Sequence, residues 1–141
     1  MRTPYGETAR AFDALAPGYD ALYGPEENTV MAWMRRESLE LLRRTFPRGS
    51  RLLEIGCGTG DEAVALARAG RSVVATDLSP RMASLAHAKA AASGVDDRVA
   101  ALALPAAGVG LLRPNRPFDG AYASFGALNC EPDLTTLSES L

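Results

Sequence analysis

The stretch Leu52-Leu53-Glu54-Ile55-Gly56-Cys57-Gly58-Thr59-Gly60 limits the fold more than any other part of this chain. A short apolar run enters a turn in which every second residue is glycine. Residues 61–69 then place Ala63, Val64, Leu66 and Ala67 at helical spacing, and Gly70 supplies a carboxyl-terminal cap. A second apolar run, Ser72 to Thr76, ends in Asp77. Strand, glycine turn, helix and strand form a β-α-β unit with parallel strands and a right-handed crossover. The unbroken apolar character of both runs suits a sheet covered on both faces. Ligands of such sheets bind at the carboxyl ends of the strands, where the glycines and Asp77 fall.

The flanking sequence extends the pattern. Helical spacing of Ala11, Phe12 and Leu15 predicts a helix from Thr8 to Ala16, stopped by Pro17-Gly18. Tyr19, Leu22 and Tyr23 form a short segment closed by Gly24-Pro25. A long helix is expected from about Glu26 to Thr45, with Glu26 and Glu27 at its positive end. Its apolar stripe would be Val30, Trp33, Met34, Leu41 and Leu42, and Trp33 and Met34 read as packing residues or part of a substrate lid. Further helices are expected over Pro80–Ser93, capped by Ser79, and from Asp133 onward. Strands are expected over Arg98–Leu104 and Phe118–Phe125, with a loop containing one helical turn between them. The fold class is therefore α/β, a Rossmann-like open parallel sheet with two amino-terminal helices. Residues 1–48 read as a helical lid and 49–141 as an incomplete core. The last strand would leave an uncovered parallel edge, which implies a fragment, a truncated chain or a sheet completed by a second copy, hence a homodimer through that edge.

Composition narrows the function. The net charge is -2, and fourteen of the fifteen basic residues are arginine, with Lys89 the exception. Nucleic-acid binding calls for a positive stripe, and none is present. The pairs Arg35-Arg36 and Arg43-Arg44 stand near Glu37 and Glu40 and read as a solvated helix face. Cys57 and Cys130 fit no metal-binding spacing, and read as small packing residues of a cytoplasmic protein. No apolar run reaches membrane-spanning length, and no signal peptide precedes the first helix.

The glycine spacing is G-x-G-x-G. A nicotinamide-binding turn requires G-x-G-x-x-G, and its third glycine position is here Asp61, whose charge would repel a pyrophosphate. Glu54 and Asp61 fit a cationic ligand better. S-adenosylmethionine, which carries a sulfonium and an ammonium and no phosphate, meets that requirement, and the start of the following helix can serve its carboxylate. Asp77, at the end of the second strand, is placed to accept hydrogen bonds from both ribose hydroxyls.

With these residues in view, the chain resembles the class I S-adenosylmethionine-dependent methyltransferases, especially small-molecule members of the ubiquinone/menaquinone-biosynthesis type. The likeness lies in residues 53–60, in Val74-Ala75-Thr76-Asp77-Leu78-Ser79-Pro80-Arg81-Met82, in the stretch from Phe118 to Asn129, and in Phe12-Asp13 and Tyr19-Asp20. The resemblance implies that Gly56 and Gly58, with Cys57 between them, pass under the cofactor, and that Glu54 supports the loop or the ammonium. It implies that Leu78 and Met82 flank the adenine, that Tyr19 meets the methionyl end or the substrate, and that Ser124 and Phe125 lie near the sulfonium. The resemblance also implies the strand order 3-2-1-4, and many relatives place an acid after the third strand. Here the stretch is Leu102-Ala103-Leu104-Pro105, so the backbone of Ala103 or Leu104 would serve the adenine instead.

Methyl transfer from a sulfonium is an in-line displacement that mainly requires placement of the acceptor. The sequence accordingly shows no triad and no metal cluster, and no residue is assigned a catalytic role. His87 reads as an exposed helix residue, and Asn129 as either a substrate-orienting group or a helix cap. Two alternatives stand beside small-molecule methyl transfer: a non-catalytic cofactor-binding fragment that needs further strands or a partner, and an RNA methyltransferase.

Overall fold

The computed structural model describes residues 4–24, 26 and 28–141. Three helices precede the sheet: α1 (Pro4–Leu15), α2 (Tyr19–Tyr23) and α3 (Thr29–Thr45). There follow β1 (Arg51–Ile55), α4 (Asp61–Arg68), β2 (Ser72–Asp77), α5 (Pro80–Ala92), β3 (Val99–Ala103), β4 (Gly120–Ala123) and α6 (Leu134–Ser140). Short 3-10 helices at Ala106–Leu111 and Ala127–Cys130 fill the connections around β4. All pairings are parallel, as the alternation of strands and helices requires, and the strand order is β3-β2-β1-β4, as the family resemblance implies.

Side-chain alternation along β1 divides the core. Leu52 packs with Leu66, Ala86, Ala90 and Leu42, beneath α3, α4 and α5. Leu53 and Ile55 face the opposite side and meet Val109 and Leu137 from the last connection and α6. The central strands are thus buried on both faces, which is why they read as unbroken apolar runs.

The helix starts follow their side-chain caps. Ser79 accepts from the Met82 N–H at 3.1 Å and opens α5. Asp133 does the same for α6 through Thr136 N–H at 2.9 Å, so Asn129, exposed in the preceding turn, is not the cap. The long helix begins at Thr29 rather than Glu26, because Asn28 caps it by accepting from Met31 N–H at 3.0 Å. Glu26 lies in the turn before it, and Glu27 falls outside the described residues.

The expected apolar stripe of α3 is corrected by the structure. Val30, Trp33, Met34 and Leu41 are exposed, and the helix docks instead through Leu39, Leu42 and Phe46. Trp33 and Met34 are therefore not packing residues of this core. Much of the anchoring of α3 is polar. Arg71, only 6% exposed, donates to the carbonyls of Arg43 and Phe46 at the end of α3 and to Ala69 at the end of α4. One guanidinium thereby satisfies carbonyls that both helix ends leave open.

Candidate functional site

The site is built where β1 and β2 end. Gly56 and Cys57 each donate to the Thr76 carbonyl at 2.8 Å, and Gly60 donates to Cys57 at 3.0 Å. Asp77 completes the tie. Its Oδ2 accepts from Gly58 N–H at 2.9 Å and its Oδ1 from Ser79 N–H at 2.8 Å. The glycine turn is therefore clamped to the end of the second strand by the carboxylate that follows it.

The glycines have separate reasons. A Cβ on Gly56 would stand 2.3 Å from the Ala127 methyl, so this position packs against the connection after β4. A Cβ on Gly58 would have only the Tyr19 ring, at 3.9 Å, within reach, so its bare backbone faces open space. Both have positive φ, +74° and +54°.

Above the turn lies an open cleft. It brings together nine of the expected site residues: Tyr19, Gly56, Cys57, Gly58, Asp77, Leu78, Met82, Ser124 and Phe125. Leu104 lines a smaller adjoining hollow, which shares Gly56 and Leu78 with the cleft. Glu54 does not line the cleft. It is buried behind the turn, 1% exposed.

Helix α1 crosses the mouth and contributes Thr8 and Phe12. The Tyr5 hydroxyl donates to Glu131 at 2.7 Å, and that hydrogen bond first, with burial, raises the phenol to about 12. Glu131 also accepts from Ala107 and Asp133 N–H. At the other end of α1, Asp13 accepts from the Ser79 hydroxyl and from Arg81 N–H, and these bonds hold it below the ordinary carboxylate range. Nothing in the sequence marked Glu131 as a hub, because its partners are scattered along the chain.

Arg35 is the largest departure from the sequence reading. It is not on a solvated face but lines the cleft, its side chain 15% exposed. It donates to Asp61 at 2.7 Å and to Glu62 at 2.9 Å, and lies 5.7 Å from the centre of the Phe125 ring. Burial works against its charge, but Glu62 and Asp61 outweigh that and raise its pKa. Phe125 itself has φ +55°, a left-handed conformation that costs a non-glycine residue about 1 kcal/mol or more and marks a held position.

Lys89 neutralises the other Asp61 oxygen at 2.7 Å and also reaches Asp20 and Thr59. Asp61 is thus held between two cations, and it is not the free charge that would turn away a pyrophosphate. The reason against a pyrophosphate is different: the N–H groups of Gly56, Cys57, Gly58 and Gly60 already have acceptors. Burial pushes the Asp77 carboxyl above its ordinary range, opposed by the bonds from Ser79 and Gly58. Cys57 and Cys130 both line the cleft, the first buried and the second exposed, and both are free thiols. His87 is exposed on α5. Among the described residues no three metal-ligating side chains gather, and no helix is long and apolar enough to cross a membrane.

Residues 52–140 match the methyltransferase domain family. The ubiquinone/menaquinone biosynthesis C-methyltransferase UbiE of Geobacter sulfurreducens is 31% identical over 143 residues, covering 99% of this chain and 54% of its own.

The chain belongs to the class I S-adenosylmethionine-dependent methyltransferases.

Two solved structures place this chain among its neighbours. The [4+2]-cyclase SpnF superposes with a TM-score of 0.78 at 22% identity, covering 99% of this chain and 55% of SpnF, which shows the fold. A methyltransferase from Thiobacillus denitrificans in complex with S-adenosyl-L-homocysteine superposes with a TM-score of 0.58 at 27% identity, covering 74% of this chain and 44% of that chain. The chain spans about half the length of the curated relatives it matches.

Proposed function

We propose that this chain binds S-adenosylmethionine in the cleft and that the protein it represents transfers its methyl group to a small-molecule acceptor in the cytoplasm. The observation that carries the proposal is the clamp of Asp77 on the glycine turn. Each carboxylate oxygen uses one acceptor position on backbone N–H and keeps another for a ribose hydroxyl.

The remaining residues fit the group. Gly58 offers backbone with no side chain in the way. Leu78 gives an apolar wall for a base, with Met82 fully buried beside it. Arg35 has donors beyond those given to Asp61 and Glu62, and faces the cleft where a ligand carboxylate can meet it. Tyr19, Ser124 and Phe125 border the same space, and Leu104 closes the adjoining hollow. The bound cofactor supplies an electrophilic methyl on a sulfonium. The protein's part is to align an acceptor with that methyl and to exclude water. Residues 1–48, which carry Thr8, Phe12, Tyr19 and Arg35 to the cleft, act as the lid over it. The net charge of -2 favours a small molecule over RNA.

Titration calorimetry with S-adenosylmethionine, S-adenosylhomocysteine and NADH tests the assignment. The first two should bind and the third should not. Binding of NADH at this cleft, or silence with all three, would overturn it.

A second reading concerns assembly. β4 is an edge strand with Ala121 and Ala123 exposed, so a second copy can pair with it and complete a cofactor-binding unit that does not turn over alone. Light scattering that gives a dimer mass, lost when proline replaces Ala121, would support this; a monomer at all concentrations would end it.

A further inference from the structure

Glu54 has no use in the clamp described above, yet it is among the most buried side chains in the molecule, 1% exposed. On the sheet it stands in register with Ala75 on β2 and Tyr122 on β4. Its Oε2 and the Tyr122 hydroxyl are both buried and have no hydrogen-bond partner of normal geometry, and the two side chains stand close enough to act on each other. Buried polar atoms are rarely left so, and two that face each other mark a place where something arrives or leaves.

The surrounding charge has one sign. Glu62 and Asp61 press on Glu54 from α4, and Asp77 from β2. The cations beside these acids are Arg35, which pairs with Glu62 and Asp61, and Lys89, which pairs with Asp61; neither pairs with Glu54. Cys57, from the turn, is a buried thiol pushed up by that burial and by Glu54. Tyr122 is pushed up too, by burial first and then by Glu54, so it does not ionise in Glu54's place. An ionised carboxylate there would be desolvated without a counter-charge, and burial, followed by Glu62, raises Glu54 well above the carboxylate range.

We infer that Glu54 and Tyr122 form a paired proton-holding site behind the glycine turn, which releases one proton to solvent when the cationic methionyl end of the cofactor occupies the cleft in front of it. The inference rests on the cofactor assignment above. Without ligand, Glu54 is neutral and its O–H can donate to the Tyr122 oxygen. With an ammonium and a sulfonium in front of the turn, the carboxylate is favoured, and the Tyr122 hydroxyl reverses and donates to it. No bond other than the O–H bond breaks, and the proton passes to buffer. Tyr122 is a positioning residue in this scheme, acting through Glu54.

Calorimetric titration of the full chain with S-adenosylmethionine, in buffers of different ionisation enthalpy between pH 5 and 9, counts the protons. Release of about one proton is expected on the acid side, with Kd falling by up to about tenfold per pH unit there. Glu54→Gln should abolish the release. Tyr122→Phe keeps the ring in the core but removes the donor, so it should weaken binding about three- to tenfold and move the pH midpoint upward. Binding with no proton exchanged at any pH, or an unchanged pH profile in Tyr122→Phe, would overturn the inference and leave the cofactor assignment standing. Absence of binding in every buffer would overturn both.

Discussion

Arg35 and Asp61 meet at 2.7 Å across the mouth of the cleft, joining a helix that precedes the sheet to the first residue of the helix that follows the glycine turn. The contact gives α3 a place in the site that its exposed apolar residues do not. Arg35→Gln would leave Glu62, itself almost buried, without its cation. A loss of about 2–3 kcal/mol in unfolding free energy is expected, between the values for exposed and fully buried pairs. A urea titration reads it, and an unchanged midpoint would place the pair outside the folding energetics.

Asp77→Ala removes acceptors from Gly58 N–H, Ser79 N–H and the expected ribose hydroxyls. Cofactor affinity should fall by roughly 1–3 kcal/mol, or about five- to 150-fold. Calorimetry on folded variant decides this, and undiminished affinity would withdraw the ribose role.

Two glycine variants should fail in different ways. Gly56→Ala drives a methyl to 2.3 Å from Ala127 and should lower stability directly. Gly58→Ala has space for its methyl but keeps φ at +54°, so the strain is about 1–2 kcal/mol and the methyl points where ligand would lie. The thermal midpoint should drop more in the first, and affinity relative to stability more in the second. Equal profiles would contradict the division of labour.

Glu54→Gln should stabilise the ligand-free protein at high pH. The folded-state pKa of Glu54 is raised, by burial first and then by Glu62, so its contribution is fully present below its unfolded value of about 4.3 and is lost as pH rises through the raised one. Glutamine is neutral throughout. The difference in melting temperature, variant minus wild type, should grow from pH 4.5 to pH 8; a flat difference would mean that Glu54 does not titrate in that window.

Tyr5→Phe cuts a tie that holds α1 across the cleft. Proteolysis within the first helix should accelerate while the global melting temperature moves little, because the tie is peripheral to the core. Cleavage at the wild-type rate would show that this bond does not hold the helix.

The β-α-β unit, the glycine turn and Asp77 were legible from the sequence because each is a local matter. Strand, turn and helix are set by neighbouring residues, and the parallel order follows from their alternation. The family resemblance, not local pattern, pointed to Tyr19, Leu78, Met82, Ser124 and Phe125, and all five border the cleft. Local pattern misplaced the apolar face of α3, because helical periodicity tells which residues share a side and not whether another element covers it.

What only the tertiary structure decided is where the charges go. Arg35 looked like a surface arginine, and its partner Asp61 lies 26 residues away; Tyr5 and Glu131 are separated by 126. Asp61 looked free and is held by Arg35 and Lys89. Glu54 looked like a charge for the ligand and is buried against Tyr122 with no cation of its own. Ionisation depends on burial and on neighbours brought together by the fold, and neither is written in local sequence.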